Sequence, residues 1–309
     1  MAILFPYIRA LVSTFTANAN VPPLILPPIN VVNLIENVSK ELIVSHPTGE
    51  KGLMGIGISS SGLINRKEGE IIRSSLLGWE QVPITKMLKE KFKKDIPIFV
   101  DKNINALTLA ELRLGEGKST NNFICVSVGA GLGLSTVINN RVYHGGFGGA
   151  GEFGHTTIEV EGYQCHCGQK GCLEMYASEF YFKHRGMEIM DEYPNTSLKT
   201  FYFEEVCKAA KGGDQLAKRL LDEMSKYLGS GIRNLINTLN PEKVIVVGEG
   251  MEYKDLFMEE VINICNRNFF SKSALNTPIV ISELKNNAWL VGTALMAIDH
   301  LFKEPIYED

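Results

Sequence analysis

Apolar positions along this chain fall into alternating helical and strand-like rhythms. Val32, Ile35, Val38 and Leu42 recur at helical spacing, which predicts a helix over Val31–Val44. Just upstream, Leu24–Asn30 reads LILPPIN, and its prolines, with Pro22-Pro23, exclude a long helix there. Gly52–Gly62 reads as an apolar strand running into a small-residue turn, and Ile84–Phe92 as a short amphipathic helix. Pro97–Val100 reads as a buried strand and Asn105–Leu114 as a helix ended by Gly115. Phe123–Val128 (FICVSV) is a continuous β-rich run, turned by Gly129-Ala-Gly-Leu-Gly133. Leu134–Ile138 resumes as a strand, and Asn139-Asn140 makes a hairpin into Arg141–Tyr143. The chain is then mainly helical from Glu204 to Leu239, broken at Gly212-Gly213. Val244–Val247 and Pro278–Ile281 read as strands, and Ala288–Phe302 as a closing helix. Strands alternating with helices predict an α/β class.

Composition narrows the function classes. In 309 residues, 31 Lys and Arg face 35 Asp and Glu, and 45% of positions are apolar, so the chain can bury a core and is not intrinsically disordered. No apolar run approaches the roughly 18 residues of a membrane-spanning helix. The mild acidity argues against a free-standing nucleic-acid binder, which carries a basic face. Met1–Val12 is apolar, but no positive cluster precedes it and Pro6 and Arg9 interrupt it, so it does not read as a secretory signal. The expected compartment is the reducing cytoplasm.

The cysteines sharpen this picture. Of six, three crowd into Cys165-His-Cys167-Gly-Gln-Lys-Gly-Cys172, and His155 lies ten residues before Cys165. Three thiols and one imidazole make the donor set that tetrahedral zinc prefers, and four protein ligands leave no position open for water. The ion would therefore be structural. Gly168 and Gly171 suit a chain folding tightly around it. The alternative is a loop of unpaired reduced thiols. Zinc at His155 would also bring Glu152 and Glu174 together, and two carboxylates with an imidazole can hydrogen-bond vicinal hydroxyls.

Gly151-Glu-Phe-Gly-His155 followed by the cysteine run and Cys172-Leu-Glu174 closely resembles the signature of the ROK family of repressors and sugar kinases. The likeness extends from Gly55 to Ala297 through Leu77–Pro83, Gly145–Ala150, Asn240-Pro241 and Val246–Gly250. It implies an actin-like, ribonuclease-H-like α/β fold of two domains around a cleft, with sugar and ATP bound in it. We expect a small domain of residues 1–110 plus 288–309, incomplete at its N-terminus, and a large one of residues 111–287. The resemblance implies zinc on His155, Cys165, Cys167 and Cys172, and sugar contacts from Glu152, His155, Glu174 and Ser61-Gly62. Gly129, Gly131 and Gly133 resemble the second phosphate loop, and Gly248 and Gly250 a nucleotide-binding turn, although a tight hairpin explains the first three equally well. A homodimer is also implied. The helical stretch Leu216–Leu239 could be core or interface.

Three departures bear on activity. Family kinases carry an Asn-Asp pair after the strand matching Pro97–Val100, the Asn binding sugar and the Asp acting as general base. Here Lys102 falls on the Asn and Asn103 on the Asp. An amide cannot accept that proton, and losing a positioned base costs about two to four orders of magnitude. A working kinase would need Asp101, two residues away, or water in its place. Second, Met1–Asn20 contains no glycine for the Asp-x-Gly-Gly-Thr-like phosphate turn, and Ile8–Val12 reads as the strand that should follow it. Third, Glu249 stands in the glycine-rich nucleotide segment.

These features suggest a non-catalytic sugar-binding protein resembling the xylose and N-acetylglucosamine repressors. No basic helix pair is visible before Val31, so direct DNA recognition by this chain is not expected. The alternatives are an ATP- and magnesium-dependent hexose kinase with an unusual base, and a remnant without function. Lys102 could bind sugar hydroxyls, pair with Glu152 or Glu174, favour an anionic sugar, or point to solvent. The identity of the sugar is not readable.

Overall fold

The computed structural model describes residues 2–4, 28–45, 54–75, 77–92, 95–267, 277–284 and 288–302. They group into two compact units. Unit one comprises residues 1–115, 144–150 and 284–309; unit two comprises 116–143 and 151–283. The segment 144–150, which the sequence reading places in the second domain, packs with the first. Ile8–Val12 and the predicted phosphate-turn region lie outside the described residues.

Unit one is built on a parallel three-stranded sheet, β1 (Ala2–Leu4), β2 (Ile56–Ser60) and β6 (Ile98–Lys102), in the order β1-β2-β6. Every residue of β2 is buried, as expected of a strand covered on both faces. A separate antiparallel sheet, β3 (Leu63–Asn65), β4 (Glu70–Ser74) and β5 (Trp79–Val82), follows β2. Sequence reading missed it because each strand is shorter than a legible alternation.

Helix α1 (Pro28–Ser45) contributes Val31, Val32 and Ile35 to a core with Ile56, Ile58, Ile71, Trp79 and Leu88. It starts inside the proline-rich stretch that the sequence reading excluded from a long helix. A proline is compatible with the first turn, where its missing N–H has no helical partner to lose. Helix α2 (Ile84–Lys89) precedes β6, and α3 (Asn103–Leu114) begins directly where β6 ends, two residues before the expected start. The closing helix α8 (Ala288–Leu301) crosses α3 closely. The crossing depends on Gly292, where a Cβ would lie 1.8 Å from the Ala106 carbonyl oxygen.

Unit two carries a five-stranded sheet in the order β11-β10-β7-β8-β9. Here β7 (Phe123–Val128), β8 (Leu132–Ile138) and β9 (Arg141–Tyr143) form an antiparallel meander, while β10 (Lys243–Val247) and β11 (Ile279–Ile281) add parallel strands on the other side. Asn139 and Asn140 both take positive φ in the hairpin, as their side chains tolerate. Helices α4 (Glu179–Ile189), α5 (Phe203–Lys211), α6 (Gln215–Leu239) and α7 (Met258–Asn266) pack with the sheet. Helix α6 buries Leu216, Leu220, Met224, Leu228 and Ile232, so one face of it is core.

Candidate functional site

In unit two, two single 3-10 turns, Phe153–His155 and Leu173–Met175, present the acidic and imidazole groups. Both rest on α6 at Gly231, where a Cβ would meet Leu173 Cδ2 at 2.5 Å and Phe153 Cζ at 2.9 Å. Gly231 therefore sets how closely the turns seat on the helix. The second turn is tied down by Ser178, which donates to the Glu174 carbonyl (2.6 Å) and accepts from Phe180 N–H to cap α4.

The cysteine run folds as a tight knuckle. Cys165 N–H bonds Gln169 O and Gly168 N–H bonds Cys165 O, while Gly168 and Gly171 take positive φ. A side chain at Gly171 would strike the Glu159 carbonyl at 1.5 Å. His155, Cys165, Cys167 and Cys172 converge so that one donor atom from each lies within 4.8 Å of the others. Within the set, His155 Nδ1 is 3.6 Å from Cys165 Sγ, and Cys167 Sγ is 3.6 Å from Cys172 Sγ.

Burial is the largest influence on each of these thiols. It pushes Cys165 up, and with the crowding thiols pushes Cys172 up to about 12. At Cys167 the Gln169 backbone and the other two thiols outweigh burial and lower it. Three crowded sulfurs and an imidazole, two of the thiols buried, suit a dication, which would hold them as thiolates. The residues present therefore fit zinc.

The imidazole of His155 points both ways: Nδ1 faces the sulfurs while Nε2 lies 4.0 Å from Glu152 Oε2. Glu174 belongs to a second convergent set with His155, Cys165 and His166, again within 4.8 Å. Its Oε1 accepts from Leu132 N–H at 3.2 Å, and its buried Oε2 makes no hydrogen bond. Glu174, His155 and, through His155, Glu152 are thus brought together in unit two.

The Gly129–Gly133 turn joins β7 to β8 beside this group, and carboxylates take its amides. Leu132 N–H goes to Glu174, and Ala130 N–H goes to Glu249 Oε1 at 2.9 Å. Gly248 and Gly250 let the chain leaving β10 lie against β7: Cβ atoms there would be 2.6 and 2.8 Å from the Val128 carbonyl oxygen. That approach delivers Glu249, and a side chain at Gly129 would collide with its Oε1 at 2.2 Å. Glu249 also adds to burial in raising the carboxyl of Glu179. Two amides of this turn, those of Ala130 and Leu132, are thus taken by the carboxylates of Glu249 and Glu174.

The remaining candidates lie in unit one. Gly62 follows β2 at φ +100, where a Cβ would meet the Arg73 carbonyl oxygen at 2.2 Å, and Ser61 Oγ is 2.9 Å from Ser74 Oγ. Lys102 and Asn103 stand at the β6–α3 junction. Lys102 does not point to solvent: it is 5% exposed, and its Nζ donates to the Ala150 carbonyl at 2.9 Å. Asn103 Oδ1 accepts from Ile104 N–H at 2.8 Å.

Asp101 is engaged on both of its carboxylate oxygens. Its Oδ1 accepts from Lys102 N–H (2.7 Å) and Asn105 Nδ2 (2.8 Å), and its Oδ2 faces His144 Nε2 (2.8 Å) and Arg66 Nε (3.1 Å). Burial would raise this carboxyl, but His144, Arg66 and Asn105 outweigh it and hold it below the ordinary carboxylate value. Asp101 and Lys102 instead anchor the two ends of the glycine-rich segment 144–150, which is why that segment belongs to unit one. His144, Arg66 and Asn105 were not singled out from sequence, since nothing in their spacing reveals a shared partner.

Among the described residues, no helix is long and apolar enough to cross a membrane. The family model for the ROK family matches residues 24–300. The chain is 31% identical to a xylose repressor of Caldicellulosiruptor bescii, over 90% of this chain and 70% of that one. It is also 31% identical to a glucokinase of Halalkalibacterium halodurans, over 84% and 80% of the two chains. Among solved structures, a ROK-family transcriptional regulator homologous to the E. coli MLC protein superposes with a TM-score of 0.73 at 25% identity, covering 86% of this chain and 67% of that one. A ROK glucokinase from Streptomyces griseus, solved with glucose and AMPPNP, gives 0.71 at 24% identity, covering 85% and 88%. Its likeness establishes the fold, the actin-like α/β type. With the family model spanning most of its length, the chain belongs to the ROK family.

Proposed function

We propose that this protein binds a sugar without phosphorylating it, as the sugar-sensing part of a carbohydrate-responsive transcriptional regulator. The observation that carries this reading is the Glu249–Ala130 hydrogen bond. A turn whose counterpart in family kinases would offer its amides to phosphate gives this one to the protein's own carboxylate. The β6–α3 junction supports the same reading, because Asn103 has no proton-accepting carboxylate and Asp101 is fully engaged. Phosphoryl transfer rests on phosphate positioning and charge stabilisation, and both are compromised.

The sugar-facing group is retained. Glu152, His155 and Glu174, all in unit two, supply acceptors and a ring nitrogen for neighbouring hydroxyls; Gly62, Lys102 and Asn103, in unit one, are sugar candidates on the family resemblance alone. Zinc held by His155, Cys165, Cys167 and Cys172 would fix the His155 ring and anchor the knuckle leading to Glu174, a structural role. A cytoplasmic homodimer is part of this proposal; direct contact of this chain with DNA is not.

A second reading, an ATP- and magnesium-dependent hexose kinase, draws on the glucokinase likeness and the same sugar-facing set. Calorimetric titration of the zinc-loaded protein with aldopentoses and aldohexoses tests the binding half of the proposal. Saturable binding that disappears in Glu174→Ala is expected. Binding that survives in that variant would remove the proposed site.

A further inference from the structure

His166 lies between two of the cysteines, at a position the zinc set does not use. Its Nδ1 is 3.9 Å from Cys165 Sγ, and its ring stands edge-on to His155 (centroids 5.3 Å, 79°) and tilted against Phe180 (5.4 Å). The opposite nitrogen, Nε2, faces Glu174 Oε2 at 3.5 Å. That oxygen is the buried one without a hydrogen bond, the other being held by Leu132 N–H. A buried carboxylate oxygen is rarely left unsatisfied, because the desolvation cost is not recovered. The knuckle therefore aims a second imidazole at the buried Glu174 oxygen that has no hydrogen bond, while the His166 side chain stays 30% exposed.

We infer that His166 is a further specificity-determining residue of the sugar site, pairing with Glu174 Oε2 to read a single hydroxyl. This rests on the sugar-binding reading above. A hydroxyl both donates and accepts. Placed between the two groups, it gives its O–H to the carboxylate oxygen and receives the N–H of His166. A fluorine there could only accept, and a hydrogen could do neither. The pair would thus demand a free hydroxyl at one ring position and reject the deoxy, deoxyfluoro and O-methyl analogues.

The test is calorimetric titration of wild type, His166→Ala and His166→Gln with the best-bound sugar and its complete set of monodeoxy and deoxyfluoro analogues. Zinc content and melting temperature are measured on each protein. In wild type, one hydroxyl should stand out, its removal weakening binding about tenfold or more, as for a hydrogen bond to a charged group. His166→Ala should weaken the parent sugar by about the same factor yet leave the analogue lacking that hydroxyl unchanged, with zinc retained. His166→Gln, which keeps an N–H donor, should recover part of the loss. Equal weakening of every analogue, no weakening of any, or loss of zinc from His166→Ala would each overturn the inference. Wild type that binds none of the sugars would overturn the underlying functional reading as well, and that outcome is distinct from the other three.

Discussion

Glu249 Oε1 lies 2.9 Å from the backbone nitrogen of Ala130, at the turn between β7 and β8. One acidic side chain, delivered by two glycines that pack on Val128, occupies an amide of this turn, and under the proposed function that amide is no longer open to phosphate. The expected consequence is direct. Glu249→Gly should open the Ala130 amide and raise affinity for a fluorescent ATP analogue about tenfold, since a charge-assisted hydrogen bond and a like-charge repulsion change together. Turnover should stay at background because Asn103 is untouched. Unchanged nucleotide affinity would show that Glu249 is not what excludes phosphate.

The zinc knuckle should govern the stability of unit two. We expect a single zinc ion per chain by elemental analysis, lost in Cys172→Ala, with proton release when metal is added to the stripped protein at neutral pH. Chelation should lower the melting temperature by several degrees or more, on the order of 2–4 °C per kcal/mol for a unit of this size. A stripped protein with an unchanged melting curve would contradict a structural metal.

Asp101 should be a stability determinant of unit one. Its folded carboxyl is held below the ordinary value of 3.8 by His144, Arg66 and Asn105. The group is therefore ionised in both states above the carboxylate range, where its contribution is fully present. That contribution is lost as pH falls through the ordinary value toward the depressed folded one. Asp101→Asn should cost about 3 kcal/mol near neutral pH, as for a broken buried pair, and should flatten the acid limb of the stability–pH curve. Denaturant unfolding across pH checks both.

The α3–α8 crossing offers a packing test remote from any ligand. With 1.8 Å between a Cβ on Gly292 and the Ala106 carbonyl oxygen, Gly292→Ala must separate the helices. A loss of about 1–3 kcal/mol is expected by denaturant unfolding, as for overpacking elsewhere, rather than the gain that alanine brings to an open helix.

What was legible in the sequence follows from how locally each feature is determined. The convergence of Cys165, Cys167, Cys172 and His155 was readable because they lie close in sequence on one tight knuckle. The β7–β9 meander was readable because buried runs and an Asn-Asn hairpin carry their own turn signals. Asn103, where the family resemblance expects an Asp, was readable by its residue type alone. By contrast, α1 begins at Pro28, since a first-turn proline costs a helix nothing. The segment 144–150 joins unit one only through contacts of His144 and Ala150 with Asp101 and Lys102, which are distant in sequence. The same is true of Glu249: its residue type suggested unwanted charge, but its bond to Ala130 depends on how β10 sits beside β7.

The central claim, sugar bound but not phosphorylated, is tested most directly by a coupled assay of the zinc-loaded wild-type protein. The assay uses ATP, magnesium and the tightest-binding sugar at saturating concentration, with occupancy verified by calorimetry in the same buffer. The account predicts full sugar occupancy and a turnover rate indistinguishable from the enzyme-free blank. Sustained turnover above that blank would contradict it and make this chain a sugar kinase.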